Sequence, residues 1–262
     1  MSGKVLISPS ELSDLMKAEA VVLIDTRDPA IYAEAHIPGA VDVREVFTYL
    51  ASSTPEGMAA LRDTFAAAFG KAGLSGAETA VIYEQSMSAG FGQSCRGYVL
   101  LRYLALAKAF PINTRMGILV DLETMKAAVK DPRTVKLDVR DVDEWIAESS
   151  SPYGKDFCPR KGRIPGAVWI EWYRMMKPTP TGPMFKSRAE ILAECATVGV
   201  TPETPVIVYC FKGARASNTF VALEEAGIKN VGIYFGSWNE WSRDPSLPIE
   251  EGLPFSPPRI AA

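Results

Sequence analysis

The chain has 262 residues, a length for one large domain or two ordinary ones, and its 47% apolar content supplies a globular core. The net charge is −3 with both signs mixed along the sequence, which gives no support for a nucleic-acid surface. The longest apolar candidate, Tyr98 to Phe110, is interrupted by Arg102 and Lys108, so no membrane span is expected.

The N-terminal apolar run around Val5-Leu6-Ile7 is too short for a secretory signal, and the expected location is the cytoplasm. Ser8-Pro9-Ser10-Glu11 is a capping-box start for a helix. Val21 to Ile24 reads as a buried strand running into Asp25-Thr26-Arg27, followed by the turn Ile37-Pro38-Gly39-Ala40 with His36 beside it. Ala80 to Tyr83 is a further strand, ending at Glu84 and a Gly/Ser-rich loop. Cys95 precedes a helical run from Gly97 to Leu106. Pro111, Asn113 and Gly117 suit a linker.

Ile118-Leu119-Val120 then opens a second series, with Asp121 placed to cap the next helix. An apolar strand ends at Asp138-Val139-Arg140, and a Pro/Gly/Ser-rich insertion from Ser149 to Gly162 carries Cys158, Arg160 and Lys161. Cys158 is expected to be exposed there. Arg163 leads into Ile164-Pro165-Gly166-Ala167, and Cys195 sits in a helical pattern. Val206 to Tyr209 is a strand, and Ser217 to Ala226 a helix closed by Gly227. Trp169, Trp172, Trp238 and Trp241 are candidates for core or for an apolar pocket wall.

The two series are copies of one unit. Asp25-Thr26-Arg27 falls on Asp138-Val139-Arg140, Ile37-Pro38-Gly39-Ala40 on Ile164-Pro165-Gly166-Ala167, and Val81-Ile82-Tyr83-Glu84 on Ile207-Val208-Tyr209-Cys210. The expected division is residues 1–112 and 117–262. Each copy should begin with a short strand and then a helix. Strands alternating with helices predict an α/β fold in which a mainly parallel sheet has helices on both faces. The first copy is shortened at its end. Its apolar strands are expected to share an interface with the second.

The copies differ most at Cys210-Phe211-Lys212-Gly213-Ala214-Arg215. This loop leaves the carboxyl end of a strand and enters a helix, the crevice where open α/β sheets bind ligands. A free thiol is mostly protonated near neutral pH. Successive loop amides, a helix N-terminus and the cations Lys212 and Arg215 favour the thiolate. In the first copy Glu84 takes the cysteine's position, and its loop has no cation. The alternative is an inert cysteine at a strand end, but Lys, Gly and Arg are poor core neighbours. The four cysteines form no C-x-x-C pair and the one histidine is remote, so metal-ligand spacing is absent. Asp138 and Arg140 recur as Asp25 and Arg27 in the copy without the cysteine, which assigns them to structure.

The cysteine loop resembles the active-site loop of the rhodanese sulfurtransferases. Tyr234-Phe235-Gly236-Ser237-Trp238-Asn239-Glu240-Trp241 is similar to the G-S-W-x-E-W stretch of two-domain members. Leu137 to Arg140 and Arg163 to Ala167 are similar to the family's strand and its H-I-P-G-A turn, with Arg163 in place of histidine. The resemblance implies two rhodanese-like domains in tandem, the first non-catalytic. It implies sulfur transfer from thiosulfate to cyanide or a thiol through a persulfide on Cys210. The loop Phe211, Lys212, Gly213, Ala214 and Arg215 would bind the donor, with no metal or organic cofactor and no nucleic-acid or membrane partner. Arg163 is the candidate for a substrate carboxylate, as in mercaptopyruvate-type members, and mercaptopyruvate is the alternative donor. Those members have a nearly uncharged loop, whereas Lys212 and Arg215 favour a sulfonate-like anion. Phe211 departs from the arginine of the best-known thiosulfate enzymes. Rhodanese-like phosphatases and arsenate reductases have a loop one residue longer, and some rhodanese folds serve only as binding modules. Oligomeric state is left open.

Overall fold

The computed structural model describes residues 5–109 and 117–253. The first copy comprises α1 (Pro9–Ala18), β1 (Val21–Asp25), α2 (Pro29–Glu34), β2 (Val41–Asp42), α3 (Glu45–Thr48), α4 (Pro55–Lys71), β3 (Thr79–Tyr83) and α5 (Gln93–Ala109). The second opens with β4 (Leu119–Val120), α6 (Leu122–Lys130), β5 (Val135–Asp138), α7 (Val142–Trp145) and β6 (Val168–Trp169). A hairpin follows, β7 (Met176–Lys177) and β8 (Met184–Phe185), then α8 (Arg188–Ala196), β9 (Val206–Tyr209), α9 (Ala214–Glu225), β10 (Val231–Tyr234) and α10 (Ser237–Trp241).

Capping decides where the early helices start. Ser8 Oγ accepts from the Glu11 amide and the Glu11 carboxylate accepts from the Ser8 amide, the reciprocal pair that begins α1. Asp121 accepts from the Thr124 amide at 2.8 Å and begins α6. No side chain caps α9, whose first residue follows Gly213. The N–H groups at that end lack intrahelical partners and are available to an anion.

The second copy is a five-stranded parallel sheet in the order β4-β10-β9-β5-β6. Both of its faces are covered. Along β9, Val206 and Val208 enter a core with α8 and α9 residues such as Ile191 and Phe220. Ile207 and Tyr209 enter a second core with Met125 of α6 and Trp238 and Trp241 of α10. That alternation is the period of a strand buried on two sides.

The first copy is a three-stranded parallel sheet, β2-β1-β3. Val5 to Ile7 were expected to form its opening strand, and they do not. In the second copy the matching strand β4 pairs with β10. Among the described residues the first copy has no strand after α5, so Val5 to Ile7 lack that partner. Most of the expected linker, 111–116, lies outside the described residues.

Helices rather than strands carry the seam between the copies. α5 packs along α9, and one continuous core includes Val99 and Leu100 of the first helix with Phe220 and Leu223 of the second. Arg102 and Glu224 form an ion pair of 2.7 Å across it. At Gly92 the backbone has φ +78°, and a Cβ there would come within 2.7 Å of Ala214 O and 2.8 Å of Asn218 Cβ. A larger residue would push the first copy's loop away from the start of α9. The Glu240 carboxylate of α10 also crosses the seam, accepting from the Ser53 amide (2.7 Å), Ser53 Oγ (2.6 Å) and Ser52 Oγ (3.0 Å).

Candidate active site

Cys210 is buried where β9 ends. The Gly213 amide donates to Cys210 Sγ at 3.1 Å, as expected for a loop folded around its own sulfur. That curl requires Gly213 at φ +93°, where a Cβ would stand 3.0 Å from the Phe235 ring. The start of α10 backs the loop. Trp238 N donates to Cys210 O and Asn239 N to Phe211 O, both at 3.0 Å. The Cys210 amide donates to Ser237 Oγ at 3.3 Å, and that hydroxyl donates to Tyr234 O at 2.8 Å.

The loop borders a cavity of about 190 Å3. Cys210, Phe211, Lys212, Ala214 and Arg215 line it with Asp141, Pro152 and Tyr153, and Phe47 and Phe91 of the first copy complete it. Lys212 Nζ lies 3.9 Å from the centre of the Phe47 ring and 5.1 Å from that of Tyr153. Burial, with help from Arg96, pushes the Lys212 ammonium down to about 7. Phe211 packs on Tyr153, with ring centres 4.8 Å apart.

Arg215 lines the cavity but is tied down. It bonds Glu144 at 2.6 and 3.2 Å and lies 3.1 Å from Asp141. Burial alone would lower its pKa, but Glu144 and the neighbouring anions hold it above the ordinary arginine value. Asp141, Asp143 and Glu144 are, among the described residues, the acidic group close enough to share a cation, and Arg215 supplies that positive charge.

The structure does not bring Arg163 to this cavity. Its guanidinium meets the Glu250 carboxylate (3.3 Å) and the carbonyls of Gly252 (2.7 Å) and Trp145 (3.2 Å). Arg160 donates to the carbonyls of Trp241, Ser242, Asp244 and Leu247, and Lys161 to Glu148 O. All three cations fasten the insertion and the C-terminal segment. Cys158 was expected to be exposed, but it is fully buried because the insertion folds onto Trp238 and Trp241. Trp172, Trp238 and Trp241 are core, and no tryptophan lines the cavity.

Asp138 and Arg140 form a buried bidentate pair with a closest contact of 2.6 Å, and Asp25 and Arg27 repeat it at 2.6 Å. Tyr209 OH donates to Asp138 at 2.7 Å. His36 stacks on Tyr32 with ring centres 4.0 Å apart. Glu84, in the cysteine's position, accepts from Gln93 N (2.7 Å) and Ser94 Oγ (2.9 Å) at the start of α5. Burial pushes its carboxyl up to about 7.

Sequence reasoning gives the first copy the part of scaffold and cleft wall but names none of its residues at the site. Phe47, Phe91 and the cations Arg44 and Arg96 come together with Lys212 only through the fold. Glu144 had a local signal, because Asp141 and Glu144 form a capping box directly after Asp138-Val139-Arg140.

Two parallel α/β units in tandem, with a cysteine loop at a helix N-terminus in the second alone, define a two-domain cysteine-loop protein of rhodanese architecture. The chain belongs to the rhodanese family: the model described as rhodanese-like domain matches residues 8–110 and 121–244. It is similar to the thiosulfate sulfurtransferase of Azotobacter vinelandii, 28% identical over 265 residues that cover 94% of this chain and 97% of the relative. The Pseudomonas aeruginosa thiosulfate sulfurtransferase is 27% identical over the same shares. Among solved structures, YnjE aligns with TM-score 0.73 and 23% identity, covering 95% of this chain and 68% of that one. Wild-type EanB aligns with TM-score 0.75 and 22% identity, covering 95% and 69%. These two likenesses establish the fold.

Proposed function

We propose that this protein is a thiosulfate sulfurtransferase working through a persulfide on Cys210. The observation that carries the reading is the Cys210 sulfur, which accepts the Gly213 amide at 3.1 Å beside an uncapped helix start and a small cation-bearing cavity. The thiosulfate sulfurtransferases among its relatives support the same class of activity.

The Cys210 thiolate attacks the outer sulfur of thiosulfate. The sulfur–sulfur bond of the donor breaks and sulfite leaves with the electron pair. A thiolate or cyanide then attacks the outer sulfur of the persulfide and releases the Cys210 thiolate. Lys212 and the loop amides stabilise the anions at each stage. Arg215 shapes the loop through Glu144 and adds its field. The cavity of about 190 Å3 fits a compact donor.

Mercaptopyruvate is disfavoured as donor because Arg163, Arg160 and Lys161 are all engaged elsewhere. Four residues between Cys210 and Arg215 make a tight cradle for one sulfur atom, against phosphatase or arsenate chemistry. The test is a parallel assay with thiosulfate and mercaptopyruvate, with mass spectrometry to locate the added sulfur. A higher kcat/KM for thiosulfate and sulfur at Cys210 support the reading; sulfur at another cysteine defeats it.

A further inference from the structure

Arg96 stands on α5, in the copy without the cysteine, and is fully buried. Its guanidinium donates to Phe47 O at 3.0 Å and Tyr49 O at 2.8 Å, and its Nε has no hydrogen-bond partner. The buried arginines of the second copy each have a carboxylate: Asp138 for Arg140, Glu144 for Arg215 and Glu250 for Arg163. Among the described residues no carboxylate pairs with Arg96. A buried charge without a counter-ion is strongly disfavoured, so a group nearby must answer it.

The guanidinium lies 4.8 Å from the centre of the Phe235 ring, the same ring that closes on Gly213 of the cysteine loop. Other cations reach this loop, each with a limitation. Arg215 is neutralised by Glu144 and Asp141. Lys212 loses its charge near neutral pH, and Arg44 is only half-buried, so water screens it. Tyr153 and Tyr49 are the other titratable groups facing Arg96.

We propose that Arg96 is the counter-ion of the sulfur anion on Cys210, a positioning charge delivered to the loop by the copy that carries no cysteine. Burial pulls Arg96 down to about 10, and the charge of Cys210 opposes that fall more than either tyrosine does. At neutral pH the guanidinium therefore stays charged. The thiolate and the persulfide each bear one negative charge, so the same counter-ion serves both halves of the sulfur-transfer cycle. The inference rests on Cys210 being the sulfur carrier, but its test needs no donor.

The experiment is the rate of iodoacetamide alkylation at Cys210 between pH 5 and 9, with the site read by mass spectrometry, in the unmodified chain, Arg96→Gln and Arg96→Lys. Arg96→Gln is expected to slow alkylation at pH 7 by about tenfold and move the profile to higher pH. Arg96→Lys keeps the charge but loses one carbonyl contact, so it should melt lower while alkylating within about threefold of the unmodified chain. An Arg96→Gln rate equal to that of the unmodified chain overturns the proposal, as does Arg96→Lys slowing as much as Arg96→Gln. Should Arg96→Gln not fold, solution NMR decides. The Arg96 Nε–H signal, identified by its loss in Arg96→Lys, should shift more between pH 6 and 9 in the unmodified chain than in Cys210→Ser, where Lys212 still titrates nearby. Identical behaviour in both overturns the proposal. Loss of persulfide at Cys210 with an intact alkylation contrast would instead count against the sulfur-carrier reading alone.

Discussion

The Lys212 ammonium nitrogen lies 3.9 Å from the centre of the Phe47 ring, and the two residues belong to different copies of the repeat. The copy without a cysteine therefore forms one wall of the cavity and sets the surroundings of the loop's lysine. Burial pushes Lys212 down to about 7, so its charge fades as pH rises through neutrality, which in the proposed reaction weakens the hold on the donor.

Phe47→Ala tests that arrangement. Losing the ring removes a partly desolvated cation–π contact of about 1–2 kcal/mol and admits water. kcat/KM for thiosulfate should fall about five- to thirtyfold, at about 1.4 kcal/mol per tenfold. The alkaline limb of the pH–rate profile should move up, because a better-solvated ammonium holds its proton longer. An unmoved limb would mean that Phe47 does not control the lysine.

Cys210→Ser should abolish transfer, whereas Ala at Cys158 or Cys195 should retain it. Burial pushes Cys158 and Cys195 each up to about 11, so both stay protonated near neutral pH. Sulfur found on either after thiosulfate treatment would contradict this.

Glu84→Gln should alter the pH dependence of stability and leave kcat nearly unchanged. The folded carboxyl is raised to about 7 from an ordinary value of 4.5, chiefly by burial. Its favourable contribution is complete below 4.5 and is lost as pH rises through about 7. The melting temperature of the unmodified chain should decline across that window relative to Glu84→Gln. Parallel curves for the two proteins would show that the carboxylate is accommodated as an anion.

Arg215→Ala should cost more than a substrate contact. It strands Glu144, which is buried, and removes the partner of Asp141. The loss is about 3–5 kcal/mol of stability, read from urea unfolding. Arg215→Met with Glu144→Leu should recover part of it without restoring transfer. A single variant as stable as the unmodified chain would show that the pair is not a structural support.

Arg163→Ala is expected to leave KM for thiosulfate unchanged and to lower thermal stability, since its bonds run to Glu250, Gly252 and Trp145. A selective loss of mercaptopyruvate turnover would return Arg163 to the substrate site.

Much of this was legible in the chain because local pattern determined it. The apolar run Val206 to Tyr209 before a cysteine and a Gly-containing loop fixed a strand, a turn and a helix start in order. The repeated Asp-x-Arg pointed to a structural ion pair, and both copies form it. Cys158 was misplaced because a Pro/Gly/Ser-rich composition says nothing of what a segment folds against; here Arg160 pins the insertion to four carbonyls. Arg96 and Phe47 were illegible for a related reason. They are separated from Cys210 by more than a hundred residues, and only the packing of α5 on α9 brings them near it.

Glu240 gives the molecule a mechanical property. The short helix that grips Ser52 and Ser53 through this carboxylate also donates two backbone hydrogen bonds to the carbonyls of Cys210 and Phe211. The Ser52–Ser53 segment of the first copy and the Cys210 loop thus hang from one short helix. Loosening of the Glu240 contacts with Ser52 and Ser53, by mild heat or low denaturant, is expected to slacken the Cys210 loop before the shared core of the two copies opens. Catalysis should fail before the fold does.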